Sequence, residues 1–155
     1  MKRAFSMIEL VFVIVILGIL SVVAMPKFAS VQDDALVSNE KATIEAVKNS
    51  IQQLHGKWLL RRSDFPTTIF YNGADVNQTI NFSNSGYPTS LDFSSIAFGL
   101  VLDPEDVSDW SSTDLGNGKT KYIGPASSTV SDKNSEISTE NYWEYDSSNG
   151  RIVLK

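Results

Sequence analysis

The sequence predicts an α+β fold: a long N-terminal helix, membrane-spanning in its first half, whose second half packs against a small antiparallel β-sheet. Three observations predict it. Residues 5–25 form one apolar run interrupted by a single acid, Glu9. Beyond Pro26, apolar residues recur at mostly three-, four- and seven-residue steps as far as Trp58, the spacing of one helical face. After Arg62 the chain turns rich in Ser, Thr, Asn, Asp and Gly, with short β-branched and aromatic pieces between. The expected organisation is a basic segment over residues 1–4, a transmembrane helix over 5–26, its amphipathic continuation over 27–62, and a β-rich remainder over 63–155.

The apolar run from Phe5 to Met25 spans about 31 Å as a helix at roughly 1.5 Å per residue, close to the ~30 Å of a bilayer's hydrocarbon core. Lys2 and Arg3 precede it, so the positive-inside rule places the N-terminus in the cytoplasm and the remainder on the other side of the membrane. A cleaved secretory signal fits the same flanks, with Val22-Val23-Ala24 as its cleavage site. The run is longer than the ~7–15 apolar residues of such signals. A plain membrane anchor explains length and orientation but leaves Glu9 unexplained. A carboxylate at the centre of a membrane helix costs about 2.5–3.5 kcal/mol, and less near its end, so Glu9 calls for a partner.

In the second half of the helix the expected apolar face is Phe28, Val31, Ala35, Ala42, Val47, Ile51, Leu54 and Trp58. Lys27, Gln32, Asp33, Asp34, Asn39, Glu40, Lys41 and Lys48 fill the polar side. Ser63-Asp64-Phe65-Pro66 stops the helix. Residues 67–71 and 78–82 read as strands, as do 96–102 and 119–123. Residues 142–145 and 151–154 read as a hairpin around Asp146–Gly150. In that hairpin Trp143 and Tyr145 share one face, as do Ile152 and Leu154, and these faces are expected to cover the helix near Trp58. The polar stretch 108–141 reads as mostly surface loop.

The chain has 155 residues, net charge −5 and no cysteine. Disulfides, thiol nucleophiles and cysteine metal sites are excluded. The acidic balance argues against general nucleic-acid binding. Asp103, Glu105, Asp106 and Asp109 crowd one stretch, with Asp114 nearby, but Pro104 interrupts them and the spacing is not that of an EF-hand. They read as a solvated acidic loop, and no metal or other cofactor is expected. His55, the one histidine, has no sequence-visible catalytic partner, and the chain reads as a non-enzyme. Lys57, Arg61 and Arg62 beside Trp58 read as cations compensating a helix C-terminus, with contact to nucleic acid as the weaker alternative.

The residues Ala4-Phe5-Ser6-Met7-Ile8-Glu9-Leu10 resemble the leader junction of type IV pilins and type II secretion pseudopilins. The resemblance runs on through the apolar helix to Gly18 and Pro26. It implies a pilin-like fold and a structural subunit. It implies cleavage between Ala4 and Phe5 by a prepilin peptidase, N-methylation of Phe5, and assembly through Glu9, Gly18 and Pro26. The implied partners are other pilin or pseudopilin subunits, the inner-membrane assembly machinery, and membrane lipid before assembly. The finer alternatives are a DNA-binding minor pilin of competence and a simple membrane-anchored periplasmic domain. The chain departs from the family pattern in having Ala4 where glycine is commonest, Ser6-Met7 for threonine-leucine, and no C-terminal cysteine pair. Calcium binding by some pseudopilins bears on the 103–109 loop only through this resemblance. Gly18 and Pro26 mark the weakest part of the helix by propensity and lost hydrogen bonding. In the resembled filaments this part melts; close helix packing at Gly18 is the other reading.

Overall fold

A computed structural model describes residues 5–155; the expected leader, residues 1–4, and with it Ala4, lie outside the described residues. The chain divides into two units, one up to Ala35 and one from Leu36 to Lys155. Helix α1, Met7–Arg61, contributes to both.

In the first unit α1 begins on Ser6, whose Oγ accepts the Glu9 N–H at 3.2 Å. The Ser6-x-x-Glu9 spacing is the N-terminal signature of a capped helix. From Phe5 to Met25 nearly every large apolar side chain is exposed, and by length and composition the helix can cross a membrane. Ser21 Oγ donates back to the Leu17 carbonyl at 2.7 Å, so this hydroxyl needs no outside partner. The backbone is helical through position 26.

In the second unit α1 buries Val37, Glu40, Ile44, Val47, Ile51 and Leu54, an alternating three- and four-residue step along one face. This corrects the expected face. Ala35 and Ala42 are exposed, and Val37 and Ile44 take their place. Glu40, expected in solvent, is 1% exposed. Reading only apolar residues skips position 40 and so slips the stripe sideways.

Strands β1 (Phe65–Tyr71) and β2 (Ala74–Ile80) pair antiparallel through Asn72-Gly73, both at positive φ (52° and 75°). Such a two-residue turn matches the natural strand twist. A second sheet, order β3-β4-β5-β6, contains β3 (Ser111–Gly116), β4 (Lys119–Ile123), β5 (Trp143–Asp146) and β6 (Arg151–Leu154). All its neighbours are antiparallel. A five-residue helix α2, Pro125–Thr129, lies between β4 and β5 in sequence.

The expected strand over 96–102 is absent. Its backbone bonds form turns and no strand ladder: Phe93 and Ile96 each donate an N–H to the other's carbonyl, and Leu102 N–H donates to the Phe98 carbonyl. Phe98 sits at φ +60°, which no strand tolerates. Its ring is fully buried, stacked 4.0 Å from Tyr122 and edge-on to Trp110. Residues 108–141 are no loop either. They supply β3, β4 and α2, and they bury Trp110, Tyr122, Ala126, Val130 and Ile137. The main core joins these to Val37, Ile44, Val47 and Ile51 of α1, and to Leu91, Val107, Trp143, Tyr145 and Ile152. Leu54, Phe65 and Ile80 form a smaller cluster. At Gly150 the chain turns at φ +68° with room for no side chain: an added Cβ would sit 2.1 Å from the Tyr87 ring.

Candidate assembly surfaces

The residues singled out for assembly are strung along one helix and do not meet in a cavity. Phe5 is 80% exposed. Glu9 lies in the first turn of α1, exposed, among apolar neighbours that are exposed too. At Gly18 no atom lies within 4 Å of where a Cβ would stand. From Phe5 to Met25 the first unit is thus an apolar helix bearing one acid. Uncovered apolar surface on this scale marks contact with lipid or with other protein.

In the second unit the buried carboxylate of Glu40 organises the packing. Its Oε2 accepts the N–H groups of Ala126 at 2.8 Å and Ser127 at 3.0 Å, and its Oε1 accepts the Trp143 indole N–H at 2.8 Å. Gly124 makes the approach possible, because a Cβ there would lie 2.4 Å from Oε2. Trp143 therefore reaches α1 at Glu40. This corrects the expectation that the β5–β6 faces cover the helix near Trp58, some 27 Å further along at about 1.5 Å per residue. The face assignments within the hairpin do hold: Trp143, Tyr145 and Ile152 are buried and Leu154 is half-buried.

Trp58 belongs instead to a packed aromatic group. The His55 ring stacks 4.2 Å from Tyr87 and 6.2 Å from Trp58. Its Nδ1 donates to the Gly86 carbonyl at 2.8 Å, since that oxygen only accepts. His55 thereby has a packing role that sequence reasoning missed. The acidic residues of the 103–109 turn are exposed. Among the described residues no group of three His, Cys, Asp or Glu side chains is arranged to hold a metal ion.

The displaced titrations fall in the sheet. The Glu144 carboxylate, bonded at 2.9 Å, holds the Lys119 ammonium above its ordinary range. Hydrogen bonds from the Ser148 hydroxyl and N–H hold Asp146 below the usual carboxylate range. Burial pushes Tyr122 and Tyr145 well above the ordinary phenol value. Their hydroxyls donate to Asp92 Oδ1 at 2.8 Å and to the Pro88 carbonyl at 2.7 Å. A raised folded-state pKa gives stability that is complete below the unfolded value, near 10, and lost as pH rises beyond it. Each tyrosine contributes a loss of about 1.4 kcal/mol per pH unit there. The second unit is expected to unfold in alkali, and Tyr122→Phe should move the midpoint of a circular-dichroism titration between pH 9 and 12 upward. An unmoved midpoint counts against this assignment.

No protein-family model matches the chain, and no solved structure does. Over 48 residues the chain is 44% identical to the type IV narrow pilus major component PilA5 of Thermus thermophilus. The match takes in 31% of this chain and 41% of that protein. By its name, that relative is the main building block of a pilus. The similarity supports a pilin-like subunit, and the apolar half of α1 is a candidate membrane anchor.

Proposed function

We propose that the chain is a pilin-like structural subunit, cut by a prepilin peptidase between Ala4 and Phe5, N-methylated on Phe5, and polymerised into a type IV pilus or type II secretion pseudopilus. Before assembly it crosses the inner membrane once, N-terminus in the cytoplasm, with the β-rich unit outside. Residues 5–26 serve as the assembly helix, and residues 27–62 and 63–155 build the exported part. Its partners are like subunits, the peptidase, the assembly machinery and lipid.

The observation that carries this reading is Glu9, a lone acid one turn into an exposed apolar helix. Ser6 satisfies the Glu9 backbone N–H, and among the described residues no ion pair uses the Glu9 carboxylate, which remains for a second subunit. The free Phe5 amine of a neighbour, with a reference pKa of about 7.7–8.0, is mostly positive at neutral pH. Among packed apolar helices an unpaired charge costs several kcal/mol. The Phe5–Glu9 pair therefore fixes axial register more than it adds net stability. Gly18 and Pro26 give the same helix its point of least helix propensity.

Intact-mass and N-terminal peptide spectrometry on the membrane-extracted chain tests the reading. The expected terminus is monomethylated Phe5. An intact Met1, or a start near Met25, would return the chain to the plain anchor or the signal peptide.

A further inference from the structure

α1 ends in an uncovered tip. Leu60 is 88% exposed and Leu59 47%, with exposed Lys57, Arg61 and Arg62 around them. The Arg61 guanidinium lies 5.5 Å over the Phe65 ring and that of Arg62 5.0 Å over Trp58, so both cations are held in place against aromatic faces. Among the described residues the ion pairs use Lys41, Lys48, Lys119 and Lys133 and none of these three cations.

A face of opposite character lies on the same unit. An open groove of about 500 Å³ runs between α1 at Asn39–Ala46 and the 102–110 turn. Ala42, Ala46, Val107 and Trp110 give it an apolar lining. Asp103, Asp106 and Asp109 rim it, exposed and in none of those ion pairs.

We propose that the tip of one copy docks in the groove of a second, Leu60 entering the apolar lining while Lys57 and Arg61 face Asp103 and Asp106. The proposal rests on the filament reading above. Apolar side chain meets apolar groove, and three cations meet three carboxylates, the complementarity that sets orientation between partners. Two different patches meet, so every docked pair still offers one free tip and one free groove. Such a contact propagates instead of closing on itself. Measured along α1, the groove centres near position 43 and the tip near position 60, an offset of about 26 Å at roughly 1.5 Å per residue.

The chain has no cysteine of its own, so introduced thiols report one contact. Positions 46 and 60 stand about 21 Å apart on one helix, far beyond the ~7 Å Cα limit for a disulfide. A bond in the full-length Ala46→Cys/Leu60→Cys chain can therefore form only between copies. Filaments sheared from cells and oxidised should give a ladder of dimers, trimers and higher species on a non-reducing gel, and each single variant should stay monomeric. Filaments without a ladder, or dimers from Leu60→Cys alone, overturn the contact and leave the filament reading standing. If the unsubstituted chain forms no filament, it is the filament reading that fails. Should the thiols block assembly, charge exchange decides. Arg61→Asp and Asp106→Arg should each cut filament yield about tenfold, the scale of one interfacial charge pair, and the double exchange should restore it. Failure to restore overturns the proposal, and points to a phosphate-bearing partner at the tip if only Arg61→Asp is harmful.

Discussion

Glu9→Val is expected to leave the chain in the membrane and to abolish its assembly. The two processes separate because the substitution acts on them with opposite sign. Valine removes the cost of a carboxylate in lipid, up to about 2.5–3.5 kcal/mol at a helix centre and less at this depth, so insertion improves. The Ser6 cap is kept, since its hydroxyl bonds the backbone N–H of residue 9 and not the side chain. Only the charge offered to the neighbouring Phe5 amine is lost. Membrane fractionation should recover the variant at wild-type levels, while the sheared filament fraction should be empty. Glu9→Asp keeps the charge on a shorter arm and should assemble in part. Normal filaments from Glu9→Val would remove the basis of the functional reading.

Glu40 carries the second large effect. Glu40→Leu leaves the Ala126, Ser127 and Trp143 N–H groups without their acceptor, and each unpaired buried donor costs about 1–3 kcal/mol. A loss of about 3–5 kcal/mol is expected, lowering the melting midpoint by roughly 10–25 °C for a unit of this size. Glu40→Gln is no conservative change here. Its one oxygen can serve the two α2 N–H groups, but its amide then sets N–H against the Trp143 N–H. It should cost about 1–3 kcal/mol, and Trp143→Phe added to it should recover part of that loss. All three tryptophans lie in the second unit, so their fluorescence follows its melting in detergent-solubilised full chain. Additive losses in the double variant would show that Glu40 and Trp143 are not coupled as described.

The elements legible in the sequence were those with local causes. The apolar length of 5–25 and the helix stop at Ser63–Pro66 are written in consecutive residues. So are the 143–146 and 151–154 strands, where buried Trp143 and Tyr145 alternate with half-buried Glu144. The misreadings share one cause, which is distance. The three donors that let Glu40 be buried stand 86, 87 and 103 residues away, and two are backbone groups with no residue signature at all. The spacing from Val37 through Glu40 to Leu54 was a usable signal, lost because an acid in a helix reads as solvent-facing. Phe98 belongs to a run that looks β-forming, yet burial of its ring against Tyr122 and Trp110 decides its backbone. Of the assembly residues, the sequence could propose Phe5 and Glu9 because their spacing is local. It gave no hint of the groove, whose two walls come from α1 and from a turn some 60 residues later.

The same three Glu40 bonds bear on the order in which the chain can fold. Contacts of such long sequence separation form late, after the entropy of closing their loops has been met. At synthesis rates of about 5–20 residues per second, α1 is complete several seconds before Trp143 exists. During that interval the carboxylate lacks its Trp143 donor and the stripe lacks the cover of Trp143, Tyr145 and Ile152. Any nascent or truncated product ending before β5 thus leaves part of this apolar face in water, until residues 143–154 close over α1.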